Sequence, residues 1–320
     1  MAQIVVTGGG GFIGSHLVDA LLAKGDRVIA IDVDERIPKR LSHLTEGKNF
    51  HYIAIDVRDK QKLAAAIPSN CRMIYHLAAM VGVKNYCDDP LKTIDVNFGG
   101  LRNIIDIALA NKAKIIFAST SEIYGKNPDI PWHEDADRVL GSTSIDRWSY
   151  SSSKGICEHI LFGVYRKYHL PVVIIRFFNV YGPRQNPIFV VPAMIVKALK
   201  DENPQIFDTG EQTRCFTFIT DAIEGVLKAS ENPSAEGEAF NIGSTHEITM
   251  AEVSAMIIEI MGKSSELQPE YIDAKELYGS YEDIMRRIPD VSKARSVLNW
   301  EAKTSLEIGL KRTIEYFKKQ

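Results

Sequence analysis

The segment that most constrains this chain is Thr7-Gly8-Gly9-Gly10-Gly11-Phe12-Ile13-Gly14. It lies between a β-branched run, Ile4–Thr7, and a helical pattern, Ile13–Ala23. Gly8, Gly11 and Gly14 give G-x-x-G-x-x-G, in which missing side chains let the backbone turn sharply and approach a bulky group closely. A helix that begins there presents unpaired N–H groups and the positive end of its dipole, with Phe12 and Ile13 in its first turn. Strand, glycine turn and helix N-terminus together make a seat for the pyrophosphate of a dinucleotide.

The second strand, Arg27–Ile31, runs into Asp32, 18 residues beyond Gly14. A carboxylate there accepts hydrogen bonds from the adenosine ribose hydroxyls and repels a 2′-phosphate, which favours NAD over NADP. Arg36, Lys39 and Arg40 follow closely and keep NADP as an alternative. After the third strand, Asp56-Val57 either holds the adenine or forms a plain turn.

Strand patterns at His51–Ile55, Met73–His76 and Lys114–Ala118 alternate with helical patterns at Lys60–Ile67 and Leu91–Ala110. This alternation predicts parallel βαβ units and a doubly wound α/β sheet. A helix over Ser151–Tyr168 leads into the apolar run Val172–Phe178, which reads as another central strand. Beyond Phe178, turn signals cluster at Tyr181–Pro187, Glu202–Pro204, Glu231–Glu238 and Ser264–Pro269, and Leu306–Phe317 closes the chain as an amphipathic helix. We therefore expect a cofactor domain over 1–178 and a smaller substrate domain over 179–320, with the chain crossing between them and a ligand in the cleft.

Charge and cysteine content narrow the partners. Against 38 basic residues stand 41 acidic ones, a net charge of −3, which gives no basic footprint for nucleic acid or an anionic membrane surface. The four cysteines, Cys71, Cys87, Cys157 and Cys215, lie far apart without a C-x-x-C pair, so buried reduced thiols are expected rather than a disulfide framework or a metal site. No apolar run approaches the ~20 residues of a membrane span. Met1 leads within three residues into the first strand, leaving no room for a signal peptide, so a cytoplasmic protein is expected.

Candidate chemistry centres on Tyr150-Ser151-Ser152-Ser153-Lys154, with Tyr and Lys one helical turn apart. A phenol titrates near pH ~10, and a neighbouring ammonium together with a positive nicotinamide ring favours the phenolate. Tyr150 can then take a proton from a sugar hydroxyl while hydride leaves the carbon, and Lys154 can also bond the nicotinamide ribose. With 12 tyrosines the pattern recurs about once by chance, and Tyr271…Lys275 is a second match. Context favours Tyr150, whose helix follows the fifth strand and precedes another core strand. The loop Ser119–Gly125 leaves that fifth strand where doubly wound sheets carry ligands. Thr120 and Ser121 offer hydroxyls to a substrate oxygen, and Glu122 offers a carboxylate that can pull a C–H proton beside a ketone.

Together these residues resemble the extended short-chain dehydrogenase/reductase family, in its nucleotide-sugar epimerase/dehydratase branch. The likeness runs through TGGGGFIGSHL, Asp32, His76-Leu77-Ala78-Ala79, Val96-Asn97, STSEIYG, YSSSK, Arg176-Phe177-Phe178-Asn179-Val180-Tyr181-Gly182-Pro183-Arg184, Arg214 in QTRCFTFITD, and Tyr281…Arg287. It implies a Rossmann-type sheet with a smaller α/β substrate domain, tightly held NAD, a nucleotide-diphosphate sugar, oxidation at sugar C4, and a homodimer paired through long helices of the first domain. It also implies cofactor contacts at Leu77, Ala78 and Ala79, and substrate contacts at Tyr86, Asn179, Arg184, Arg214, Tyr281 and Arg287.

A C4 ketone has three fates: hydride return to the other face gives a 4-epimer, loss of the C6 hydroxyl gives a 4-keto-6-deoxy sugar, and a C6 carboxylate leaves as carbon dioxide. Thr120-Ser121-Glu122 looks like the UDP-glucuronate decarboxylases and the GDP-mannose 4,6-dehydratases. Asp146-Arg147-Trp148-Ser149-Tyr150, Arg214-Cys215-Phe216 and Tyr281…Arg287 lean towards bacterial decarboxylases. Either Arg184 or Arg287 can pair with a substrate carboxylate in a bidentate fork, or serve the diphosphate. Similar sequences are also described as bacterial 4-epimerases acting on UDP-glucose, UDP-glucuronate or UDP-N-acetylglucosamine. UDP-glucuronate decarboxylation leads, UDP-sugar 4-epimerisation follows, and 4,6-dehydration is third. A catalytically silent NAD-binding regulator would be expected to have lost Tyr150, Lys154 or Thr120, and all three are present.

Overall fold

The computed structural model describes residues 3–273 and 282–320. Six runs rich in β-branched residues form β1 (Gln3–Thr7), β2 (Arg27–Asp32), β3 (Phe50–Ala54), β4 (Cys71–His76), β5 (Lys114–Thr120) and β6 (Val172–Phe177). Between them lie α1 (Phe12–Ala23), α2 (Lys60–Ala66), α3 (Val83–Asp88), α4 (Pro90–Ile94), α5 (Gly100–Asn111) and α6 (Arg147–Tyr168). Helices cover both faces of the sheet, so its central strands are apolar on both sides; Ile4, Val5 and Val6 of β1 are all buried.

The second half contributes shorter strands: β7 (Val180–Tyr181), β8 (Gln205–Phe207), β9 (Thr213–Cys215), β10 (Thr217–Phe218), β11 (Glu238–Ile242), β12 (Glu247–Thr249), β13 (Glu270–Ile272) and β14 (Arg286–Arg287). The main sheet is seven-stranded, in the order β11-β6-β5-β4-β1-β2-β3, and all its pairings are parallel. Its seventh strand therefore comes from residues 238–242, after the chain has left the first sheet and returned. Between β4 and β1 the winding reverses, which opens a crevice at the strands' carboxyl ends.

The smaller sheets belong to the second half, among them β12-β9-β14. There β14 runs parallel to β9 with Arg287 opposite Arg214, so the register sets two guanidinium-bearing residues side by side. Ile123, Tyr124, Trp132, Trp148, Phe178 and Ile284 form a separate apolar cluster that joins the loop after β5 to this region.

The helix expected over Leu91–Ala110 is present as α4, a π-helical stretch Asp95–Gly99, and α5, contiguous along the chain. Asn97, within the π stretch, is buried; its side chain accepts from Met80 N at 3.1 Å and donates to Ser153 Oγ at 3.0 Å. That link ties the loop after β4 to α6, and widened turns of this kind often mark functional sites. Among the described residues no helix is long and apolar enough to cross a membrane, and all four cysteines are free thiols.

Candidate active site

The glycine turn follows β1 at the sheet's carboxyl end. Gly8 has φ of 71°, and a Cβ built on it would lie 2.7 Å from Ala78 N. A Cβ on Gly14 would strike the Gly8 carbonyl. Only glycine fits this cradle, and α1 begins in it with Phe12 and Ile13 in its first turn and no side-chain cap on its free N–H groups. The same loop after β4 closes one side: Leu77 N donates to Thr7 O at 3.0 Å, with Ala78 and Ala79 next in line.

Asp32 stands at the end of β2, where its Oδ2 accepts from Gly10 N at 2.9 Å and its Oδ1 from Val33 N at 2.8 Å. Burial raises its pKa, and the two backbone donors oppose that rise. An ionised carboxylate has further lone pairs for ribose hydroxyls. Asp56 is paired with Arg58 at 2.6 Å, while Val57 is buried beneath Gly100. The cradle, the dipole end and Asp32 thus fit a dinucleotide with free ribose hydroxyls.

The Tyr–Lys pair sits on the buried face of α6. Tyr150 hydrogen-bonds Thr120 through its hydroxyl and stacks on Tyr86 of α3, the ring centroids 5.4 Å apart and the planes 12° from parallel. Lys154 Nζ donates to Ala118 O at 2.7 Å. Burial raises the Tyr150 phenol, and the Glu122 carboxylate raises it further; burial also pushes Lys154 down to about 8. In the protein alone, therefore, burial and Glu122 raise the phenol against the opposing hydrogen bond of Thr120, and the phenolate that the sequence suggests is not favoured. One turn along α6, Glu158 pairs with Arg176 of β6 at 2.6 Å and with the Ser119 hydroxyl, clamping α6 to β5 and β6.

Glu122 is the second residue of the short helical turn Ser121–Tyr124 after β5. Its Oε2 accepts from Arg147 Nη2 at 3.1 Å and its Oε1 from Arg287 Nη1 at 2.5 Å. Asp283 forms the other pole, bound by Arg214 Nη2 at 3.0 Å to each oxygen and lying 3.8 Å from Arg147 and 3.9 Å from Arg287. Burial opposes ionisation of both acids, yet the arginines prevail and hold both carboxyls below their usual range. Three guanidiniums thus surround two carboxylates, a buried cluster with one surplus positive charge beside Tyr150.

The structure brings together Thr120, Ser121, Glu122, Tyr150, Lys154, Tyr86, Arg214 and Arg287. Asn179 sits at the cluster's side of β7, its Nδ2 donating to Cys215 O at 3.4 Å, with φ of 39°. Arg184 does not join the cluster. Its guanidinium pairs with Asp19 of α1 at 2.7 Å, and its carbonyl accepts from Arg40 Nε at 2.7 Å, so it straps the second half to the cofactor helix. Tyr281 and Lys275 lie outside the described residues. Tyr271 is exposed on β13, away from this site. Sequence reasoning passed over Arg147 and Asp283 as site residues, although both fall within quoted motifs. An arginine three residues before a candidate catalytic tyrosine shares its helical face, and that spacing was the available signal.

A dinucleotide cradle at a parallel-sheet switch point, joined to a buried Tyr–Lys pair, defines an α/β enzyme of the dinucleotide-dependent type. The chain belongs to the family described as GDP-mannose 4,6 dehydratase, within the extended short-chain dehydrogenases/reductases, and matches its model over residues 5–313. It is 37% identical over 320 residues to a UDP-N-acetyl-α-D-glucosaminuronate decarboxylase of Bacillus cytotoxicus, covering 99% of this chain and 98% of the relative. It is 34% identical to UDP-glucuronic acid decarboxylase 1 of Arabidopsis thaliana, covering 99% of this chain and 70% of that protein. Among solved structures, the UDP-glucuronic acid 4-epimerase of Bacillus cereus, in complex with UDP-glucuronic acid and NAD, superposes with a TM-score of 0.87 at 31% identity, covering 99% of both chains.

Proposed function

We propose that the protein is an NAD-dependent UDP-hexuronate decarboxylase with UDP-glucuronate as its leading substrate. The observation that carries this reading is Glu122 held between Arg147 and Arg287 beside Tyr150. A 4-epimerase needs one proton acceptor at O4 and room for the keto sugar to turn over. It has no use for a second acid–base group against C5. A decarboxylase needs both a cation for the departing carboxylate and a proton for C5. Relatives at 37% and 34% identity that carry decarboxylase names support the same choice.

Gly8, Gly11, Phe12, Ile13, Gly14 and Asp32 would seat the dinucleotide, with Asp56, Val57, Leu77, Ala78 and Ala79 along its adenine and ribose edges. Bound NAD supplies a hydride acceptor at C4. Tyr150 takes the O4 proton, with Lys154 and Thr120 favouring its phenolate. Arg287 pairs with the sugar's C6 carboxylate, whose loss as carbon dioxide leaves an electron pair between C5 and the C4 oxygen. Tyr86, Asn179 and Arg214 would hold the sugar and its diphosphate, with Tyr281 as a further candidate contact. UDP-sugar 4-epimerisation is the second reading, supported by the likeness to the Bacillus cereus epimerase. The purified protein given NAD and UDP-glucuronate should yield a UDP-pentose lighter by carbon dioxide; a UDP-hexuronate of unchanged mass with a new configuration would establish the second reading.

The same proposal includes a homodimer. Leu91, Ile94 and Phe98 are 76%, 41% and 39% exposed along one face, and Ile156 on the adjoining α6 is 46% exposed. A two-fold copy would cover this strip. A cytoplasmic setting suits the four free thiols.

A further inference from the structure

Residues 183–189 cross the mouth of the cofactor crevice. One end is tied to the lip formed by β1 and α1. His16 Nε2 donates to Pro183 O at 2.9 Å, the Arg184 guanidinium pairs with Asp19 at 2.7 Å, and Arg40 Nε donates to the Arg184 carbonyl at 2.7 Å. His16 lies one turn along α1 from Phe12 and meets its ring edge-on, the centroids 5.8 Å apart. This end therefore sits beside the first turn of the helix whose N–H groups face the pyrophosphate. The other end meets the loop after β4, where a Cβ built on Gly82 would lie 3.5 Å from Ile188 Cδ1 and 3.9 Å from Phe189 Cζ. The crevice opens between β4 and β1, so the segment joins its two lips across the path of a dinucleotide.

The segment is held in place by these contacts. Arg184 has φ of 69°, a conformation that costs an arginine free energy, and Gly182 has φ of 151°. Buried Gln185 stiffens the turn, its N donating to Gly182 O at 3.3 Å and its Nε2 to Val180 O at 3.0 Å. Asp19 also accepts from His43 Nε2 at 2.8 Å, which fixes the carboxylate that receives Arg184. With side-chain exposures of 20% for Arg184 and 30% for Asp19, the pair escapes much of the screening that weakens surface ion pairs.

We infer that residues 183–189 are a latch on the cofactor, and that a dinucleotide enters and leaves only when Arg184 releases Asp19. This rests on the dinucleotide cradle and holds for either fate of the C4 ketone under "Proposed function". In both, hydride taken from C4 goes back to the sugar, and reduced cofactor lost before that step leaves a keto sugar behind. A latch that opens more slowly than hydride returns prevents the loss. Its contacts are all between protein groups, so loosening them speeds passage in both directions without removing a contact to the nucleotide.

Exchange is read by stopped flow without any sugar. Protein loaded with reduced nicotinamide dinucleotide is mixed with excess NAD, and the fall in nicotinamide fluorescence gives the dissociation rate. Mixing nucleotide-free protein with the reduced form gives the association rate, and titration gives Kd. Arg184→Met and the nearly isosteric Asp19→Asn should each raise both rates about tenfold, with Kd within about threefold of wild type. The double variant should exchange no faster than either single one, because the same pair is broken once. Unchanged rates in both single variants overturn the latch, as does additive acceleration in the double variant. A Kd weakened as much as dissociation is accelerated also overturns it, since Arg184 would then be an ordinary contact to the nucleotide. A wild-type protein that binds no reduced nicotinamide dinucleotide overturns the cradle as well.

Discussion

Arg287 Nη1 meets Glu122 Oε1 at 2.5 Å, joining a two-residue strand near the end of the chain to the turn that follows β5. The contact spans 165 positions of sequence and places the Glu122 carboxylate beside Tyr150. Two local facts create it. Pairing of β14 with β9 sets Arg287 beside Arg214, and Thr120 Oγ1 caps Glu122 N at 3.1 Å, fixing the turn. A buried carboxylate between two arginines is costly unless both partners remain, so the pair is a sensitive point for mutation.

Glu122→Gln should therefore separate the steps of the reaction. Oxidation at C4 relies on Tyr150 and Lys154 and should continue, seen as reduced-nicotinamide absorbance on mixing with UDP-glucuronate. Carbon dioxide release with completion of the product should fall at least about 100-fold. Equal loss of both signals would mean that Glu122 only supports the fold.

Gly14→Ala puts a methyl group against the Gly8 carbonyl, where backbone cannot yield cheaply. The expected result is loss of NAD binding by at least about 100-fold, with the protein still folded, measured by fluorescence titration of reduced nicotinamide. Unchanged affinity would show that the glycine turn does not face the cofactor.

Acid sensitivity follows from two imidazoles. Burial is the leading cause that holds His16 down to about 4 and His76 to about 3, against an ordinary 6.5. Below pH ~6.5 the unfolded chain takes up protons that the native state refuses. These groups therefore contribute fully above that pH, and their contribution declines as pH falls towards 4 and then 3. Denaturant midpoints should drop between pH ~7 and ~5, and the drop should shrink in a His16→Gln, His76→Gln double variant. An identical drop in the double variant would assign the sensitivity elsewhere.

The exposed apolar strip offers a test independent of chemistry. Leu91→Asp with Phe98→Asp should convert a dimer to a monomer by sedimentation, with NAD binding retained. A monomeric wild-type protein would remove the assignment of that face.

Much of this is legible in the sequence. The glycine turn, Asp32, Thr120, Tyr150 and Lys154 each depend on a strand or helix within a few residues, and their periodicity survives in sequence. What escaped reading depends on long-range pairing. Arg184 sits in a motif beside Tyr181 and Gly182, yet Asp19, from α1, claims its guanidinium. Arg147 and Asp283 show their roles only once β14 lies along β9. The helix expected over Leu91–Ala110 is there, but the π stretch inside it is not legible in sequence, because the two buried side-chain bonds of Asn97 are tertiary contacts that helical periodicity does not record.

The central claim is tested most directly by running the reaction in deuterium oxide with UDP-glucuronate and NAD, and following the sugar by proton NMR. Decarboxylation with reprotonation at C5 should give a UDP-pentose carrying one solvent deuterium at C5. A UDP-hexuronate inverted at C4 and free of deuterium would contradict it.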